Sequence, residues 1–376
     1  MQLLGNDHYY TNKLASYLGG DQPADVYMSG PVLAWEQLGL GFVRPLDEFT
    51  GRASPSYDFA DFFDRLIRGS RWTGHFGDAV GDGPLLAIPV NWESYNLAYL
   101  PDVLSLAGLQ VPATWQDYFA AAKAIPGSVP GVRGFGQRGA EAWHTIYTGF
   151  ASQLWSCGGS DFHPDGSCAI ASDTATEAAR TLLDAVRAAG PEDWTSQGWY
   201  ELAMDFARGK YGLLVDSDHY IAYFENPRLS SIAGQVRYAL PPAGPAGVRR
   251  PNMWMWSMVM NARSGVPDAA WEFMEWASSH EFLTRAALQG NMNPTRRSTW
   301  ADPEFAQQAS QWHGFPGVAM ELVNDLADVL VTPAVNYIDV ARRWTRALRD
   351  AYRGEASLQE CLAAAASDID RLVIRA

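Results

Sequence analysis

The sequence predicts an α/β protein of two lobes, and three observations predict it. Extended and helical segments alternate along the chain, the pattern of βαβ units and mostly parallel sheets. The chain has 376 residues, long for one hydrophobic core and normal for two lobes. Two stretches, residues 90–99 and the Pro/Gly-rich residues 241–252, look like chain passing from one lobe to the other.

Gln2–Leu4 close a short apolar run, and "YYTNKLASYLG" follows as a helix. "ADVYMSG" reads as a buried strand with a glycine stop, and "LLAIPVNWESYNLAYL" as a longer extended segment. "TWQDYFAAAKAI" has helical periodicity behind Thr114 as N-cap. "TATEAARTLLDAVRAAG" is a second helix with Gly190 just past its end. "ARGKYGLLVDSD" is a helix end turning into a strand that stops at acidic residues, and "VRYALPPAGPAGVRRPN" is a linker. "RPNMWMWSMVMN" alternates as a strand does: Trp254, Trp256, Met258 and Met260 share one face, and Met253, Met255, Ser257 and Val259 the other. Its two indoles stand on one side, roughly 6.6 Å apart along the chain. "PDAAWEFMEWASSHEF" is a helix with Trp271 and Trp276 expected on its apolar side, and the tail from residue 340 is an amphipathic helical segment.

A net charge of −14 argues against a surface that tracks phosphates, and so against nucleic acid as partner. No run of about 18 apolar residues is available to span a membrane. No Walker loop occurs, and no GxGxxG follows a strand. CxxC and His/Cys zinc spacings are missing too, so neither metal nor cofactor is expected. The 15 tryptophans are a surplus that suits carbohydrate clefts, where the apolar face of a sugar lies on an indole; each one taken singly is better explained as core. Cys157 and Cys168 bracket "CGGSDFHPDGSC", which reads as a turn and a hairpin. They are expected close enough to bridge in an exported protein, with free buried thiols as the other reading. Cys361 reads as core.

In order along the chain, "ASYLGGDQPADVYMSG", "VRPLDEF", "LLAIPVNWESYNLAYLPDVLSLAGLQVPATWQDYFAAAKAI", "ARGKYGLLVDSD", "AAWEFMEWASSHEF" and "NPTRRS" resemble the landmarks of the extracellular solute-binding proteins of family 1, the sugar receptors of ABC importers. The resemblance covers nearly the whole chain. It implies a two-lobed, periplasmic-binding-protein-like class II fold with a hinge and a cleft that closes on a sugar or polyol without chemistry. It implies an ABC permease as partner, a monomer, and a periplasmic or surface-lipoprotein location. The lobes are expected at residues 1–95 with 254–298, and 96–253 with 299–376. Family members begin with a strand and a helix, ~30 residues by the size of a βαβ unit, ahead of the region matching Gln2–Leu4. A truncated or misassigned start, without its signal peptide or lipobox, is therefore expected.

Ligands of α/β lobes bind at the carboxyl ends of strands. That rule selects Asn6 and Asp7 (helix capping being the other reading), Ser29 and Gly30 (a turn), Trp92 and Glu93 at the first crossing, and Asp216 and Asp218 after "GLLV". Two carboxylates there are costly to bury unless paired or donated to. Arg138 and Trp143 follow the strand-like "GFG"; the arginine can fork onto hydroxyls or onto a cleft carboxylate. By resemblance, Glu93 matches an acidic residue that contacts sugar in some relatives. Arg296 matches the family's PTR position near the hinge, where a lobe-bridging ion pair is the competing role, and Tyr337 lies near a stacking aromatic. Trp254, nearest the crossing, is expected at the cleft and Trp256 in the core. The ligand class that fits is a neutral sugar or polyol. Two enzymatic alternatives use the same scaffold: a thiaminase-like nucleophile, for which Cys157 is the candidate, or a glycosidase with Asp216 and Asp218 as its pair, although both would flank one side of a ligand.

Overall fold

A computed structural model describes residues 24–146, 149–290 and 293–375. Asn6, Asp7, the opening helix and the expectation about the chain's start lie outside the described residues.

The described strands are β1 (Val26–Ser29), β2 (Val43–Arg44), β3 (Ile88–Tyr99), β4 (Arg133–Gly136), β5 (Tyr211–Ser217), β6 (Arg237–Ala239) and β7 (Met253–Asn261). They connect in the order β1-β7-β3-β5-β4, with β2 also on β7 and β6 also on β3. The 12-residue β3 is long because it serves two sheets. Its residues Ile88 to Ser94 pair with β7, and Tyr95 to Tyr99 pair with β5. The chain changes sheet partners between Ser94 and Tyr95.

Among the described residues only β4–β5 is parallel; β1–β7, β2–β7, β3–β7, β3–β5 and β3–β6 are antiparallel. The expectation of mostly parallel sheets therefore fails for this part of the chain. The alternation of strands and helices reports element order, but not that β7, returning from the second lobe, enters the first sheet against its neighbours.

The helices form where their ends are capped. Thr114 and Asp117 make a capping box ahead of Trp115–Ser128, and Ser172 accepts the Ala175 N–H ahead of Asp173–Ala189. In Pro267–Ala277 the apolar-side expectation holds for Trp271, 5% exposed, but not for Trp276, 54% exposed. Five residues carry a helix ~140° past whole turns, so the two rings cannot share a face. Trp35, Trp72, Trp92, Trp194 and Trp344 are fully buried core side chains.

All three cysteines are free thiols, and the expected Cys157–Cys168 bridge does not form. The expected hairpin does form. It sets Cys168 opposite Phe162 and ties its N–H to Asp370 of the tail helix, while Cys157 lies just past the helix Gly149–Ser156. Among the described residues no helix is long and apolar enough to cross a membrane.

Candidate ligand-binding site

A cavity of about 440 Å³ opens where β3 and β7 meet the end of β5. Strand alternation builds its first wall. Glu93 stands opposite Trp254 in the β3–β7 register, and Trp254 and Trp256, two residues apart, face the same side. The Trp254 ring lies 5.5 Å from Trp256 and 5.4 Å from Trp143. Behind it, a Cβ on Gly30 would come within 2.2 Å of the indole, so only glycine lets β1 pass this close.

The second wall follows β5. Ser217 ends the strand, a 3₁₀ turn carries His219 and Tyr220, and a short helix brings Ala222 and Tyr223. Trp199 and Gly290 complete the lining with Tyr95, Arg138 and His144.

Two polar groups mark the cavity. The Glu93 carboxylate accepts from the Trp256 indole N–H at 3.1 Å and from the Ser217 hydroxyl. Arg138 is held as a fork by the buried Asp216: Nε donates to Oδ2 at 3.0 Å, and Nη2 to Oδ1 and to the Tyr220 hydroxyl. Burial alone would lower the guanidinium's pKa; the Asp216 charge more than reverses that and raises it. Burial lifts the Asp216 carboxyl and Arg138 opposes that lift. The two-pronged contact is that of an ionised pair, so Arg138 brings its donors to the cavity with its charge already answered.

Arg138 Nη1 lies 3.4 Å from His144 Nδ1. A guanidinium only donates, so Nδ1 is the acceptor and the neutral ring carries its proton on Nε2. Burial, and then the Arg138 charge, lower the His144 pKa to about 3. Burial also lowers that of His219, against the pull of Glu93. Burial, reinforced by Glu93, holds the Tyr95 phenol well above its ordinary range, and burial does the same for Tyr220. The site therefore offers neutral imidazoles, phenolic hydroxyls, the Glu93 side chain as an acceptor and a guanidinium paired with Asp216.

Of the residues selected from sequence, the cavity gathers Glu93, Arg138, Trp143 and Trp254, with Asp216 directly behind Arg138. The others among the described residues do not line it. Trp92 is fully buried, its N–H donating to the Pro294 carbonyl; neighbours on a strand face opposite ways, so Glu93 and Trp92 cannot both line one cavity. Ser29 donates to Gln37, and Gly30 backs Trp254 without lining the cavity. Asp218 lies past the strand end, where it accepts from the Ser94 N–H and the Asn293 amide. Arg296 is fully buried, donating to the Ser278 and Asp58 carbonyls and pairing with Asp61. Tyr337 donates to Asp161 and packs edge-on to Trp35.

The expected depth order of the two β7 indoles is reversed: Trp254 is 4% exposed and Trp256 half-buried, because Trp143 and Gly30 enclose Trp254. Sequence reasoning missed Tyr95, His144, Trp199, Ser217, His219, Tyr220, Ala222, Tyr223, Trp256 and Gly290. The strand-end rule, followed a few residues past Asp218 into "HYIAY", could have found His219, Tyr220, Ala222 and Tyr223; nothing local marks Trp199 or Gly290. Neither enzymatic candidate is placed for chemistry. Cys157 does not line the cavity, and burial raises its thiol pKa. Asp216 is taken by Arg138.

Comparison with known proteins identifies the family and the fold. A family described as bacterial extracellular solute-binding protein matches residues 2–282. The erythritol/L-threitol-binding protein of Mycolicibacterium smegmatis is 29% identical over 363 residues, 94% of this chain and 76% of that protein. The mannitol-binding protein of Pseudomonas aeruginosa is 24% identical over 60% of this chain and 53% of its own length. Among solved structures, an ABC transporter solute-binding protein from Agrobacterium radiobacter K84 in complex with ribitol superposes with TM-score 0.86 at 19% identity, covering 99% of this chain and 90% of that one. Another, from Agrobacterium vitis S4 with bound D-mannitol, has TM-score 0.84 at 23% identity, covering 99% and 89%. The fold is thus that of the two-lobed, periplasmic-binding-protein-like receptors.

Proposed function

Because the chain belongs to the bacterial extracellular solute-binding proteins, we propose that it is the substrate-binding protein of an ABC importer, capturing a neutral sugar or polyol between its lobes and delivering it to the membrane permease. The observation that carries this reading is the pairing of the polar groups in the cavity. Arg138 is neutralised by Asp216, the imidazoles are uncharged, and Glu93 remains as an acceptor among aromatic rings. Hydroxyls donate to Glu93 and accept from Arg138 and His144, while C–H faces lie on Trp143 and Trp256. An anionic ligand would meet Glu93 with no free cation among the described residues of the cavity to answer it. The relatives named for erythritol, L-threitol and mannitol support a short polyol. The site binds and does no chemistry.

Lobes of residues 1–95 with 254–298 and 96–253 with 299–376 are part of this reading, and the exchange of β3 partners between Ser94 and Tyr95 supports the first boundary. The protein is taken to work as a monomer on the periplasmic side or cell surface, as its family does outside the cytoplasm.

A thermal-shift screen tests the reading. Erythritol, ribitol, D-mannitol and maltose are compared with D-gluconate. A saturating neutral ligand at 100 times its Kd stabilises the fold by ~2.7 kcal/mol. A shift with gluconate alone, or with none of the neutral compounds, contradicts it.

A further inference from the structure

At the point where β3 changes lobes, four polar side chains are buried together: Ser94, Asp218, Asn252 and Asn293 are all at most 2% exposed. The Ser94 hydroxyl donates to the Asn252 carbonyl at 2.9 Å, joining β3 to the residue ahead of β7. The Ser94 N–H donates to Asp218 Oδ1 at 3.1 Å, and Asn293 Nδ2 donates to the same oxygen at 2.7 Å. Asn293 is itself fixed to β3, its carbonyl accepting the Trp92 N–H. Asp218, from the end of β5, thus holds β3 and the segment at Asn293 together through one oxygen.

The other half of this contact is unfinished. Asp218 Oδ2 and Asn293 Oδ1 are both buried, and among the described residues neither has a donor. They belong to the two planar groups already joined by the 2.7 Å bond. A buried acceptor left without a hydrogen is costly, and two on adjoining groups doubly so. One added proton removes both defects. Placed on Asp218 Oδ2, it would donate to Asn293 Oδ1 while Asn293 Nδ2 donates to Asp218 Oδ1, closing an acid–amide ring.

We propose that Asp218 is a positioning residue that works as a neutral carboxylic acid, paired with the Asn293 amide to fix the hinge segments at the base of the cavity. The surrounding charges agree. Burial, the largest influence, and Glu93 on the neighbouring strand hold its pKa well above the ordinary carboxylate range, against the Ser94 N–H and the Asn293 amide. The other titratable groups nearby are Asp216, whose charge is answered by Arg138, the protonated Tyr95, and the neutral His219; none supplies a cation to ionise Asp218. The inference stands on hinge geometry and does not require the ligand to be a polyol.

Infrared difference spectroscopy of the ligand-free protein at pH 7 tests it. The parent should show the C=O stretch of a protonated carboxyl group, shifted in D₂O and by ¹³C-aspartate labelling. Asp218→Asn, which can form the equivalent amide–amide ring, should abolish the band while keeping the fold. Asn293→Ser should keep the band but move it towards that of an unpaired acid, which also decides the matter if Asp218→Asn does not fold. Absence of a protonated-carboxyl band at neutral pH, its persistence in a folded Asp218→Asn, or its indifference to Asn293→Ser overturns the proposal.

Discussion

Asp216 and Asp218 stand two residues apart at the end of β5, both 2% exposed, in two different electrostatic regions. Asp216 faces a guanidinium that grips it with two nitrogens. Asp218 faces a backbone N–H and a side-chain amide, with a carboxylate on the next strand. Burial acts on both in the same direction, so the difference comes from the partner. A carboxylate can stay charged inside a protein when a matched cation answers it, and otherwise takes up a proton. One region stands behind Arg138 of the candidate cavity, and the other is the proposed neutral joint in the hinge.

The sharpest way to break that contrast is to remove the cation from the first region. Arg138→Leu should strand the Asp216 charge and cost ~3–5 kcal/mol of stability in a urea melt, whereas Asp218→Asn should stay close to the parent. Equal losses would mean that the two aspartates are not differently partnered. The indoles of β7 allow a second comparison. Trp254→Ala opens a void beside Gly30 and Trp143 and should cost ~3–5 kcal/mol. Trp256→Ala should cost less stability and reduce D-mannitol binding by ~1–3 kcal/mol in calorimetry, judged from stacking on other planar groups.

The pH profile separates the regions further. The Asp218 pKa is raised in the fold, so its contribution to stability is complete below the unfolded carboxylate value and is lost as pH rises through the folded pKa. The stability of the parent relative to Asp218→Asn should therefore fall with rising pH. His144 in the cavity runs the other way. Its pKa falls from 6.5 to about 3 on folding, so its contribution is present above 6.5 and is lost as pH falls towards 3. His144→Asn should flatten that acid limb in thermal melts across this range, and an unchanged slope would remove the neutral imidazole from the site.

The contrast also shows what a sequence can and cannot convey. The frame was legible. Alternation identified β7 and placed both indoles on one face, Thr114 announced its helix, and the crossing at residues 90–99 is β3. The strand-end rule found Glu93 and Asp216, and the segment after "GFG" supplied Arg138 and Trp143. It could not decide between adjacent residues. Trp92 and Glu93 were selected together although a pleat sends them to opposite faces, and Asp218 was grouped with Asp216 although the strand ends between them. Charge state was equally hidden, because it depends on Arg138 and Asn293, 78 and 75 residues away from their partners. The roles of Arg296 and Tyr337 failed for a related reason: a residue type that suits a ligand also suits a buried tie between distant segments, and only packing distinguishes the two.

One titration tests the charge preference of the cavity directly. Isothermal titration calorimetry compares D-mannitol with D-gluconate, a chain of the same length bearing one carboxylate, on the parent and on Glu93→Gln. The account predicts saturable binding of D-mannitol, at least ten-fold weaker binding of D-gluconate, and a loss of ~1.5–3 kcal/mol for mannitol in Glu93→Gln, the range for a hydrogen bond to a charged group. If D-gluconate binds the parent as tightly as D-mannitol, Arg138 is free to meet an anion and the neutral-ligand reading is contradicted.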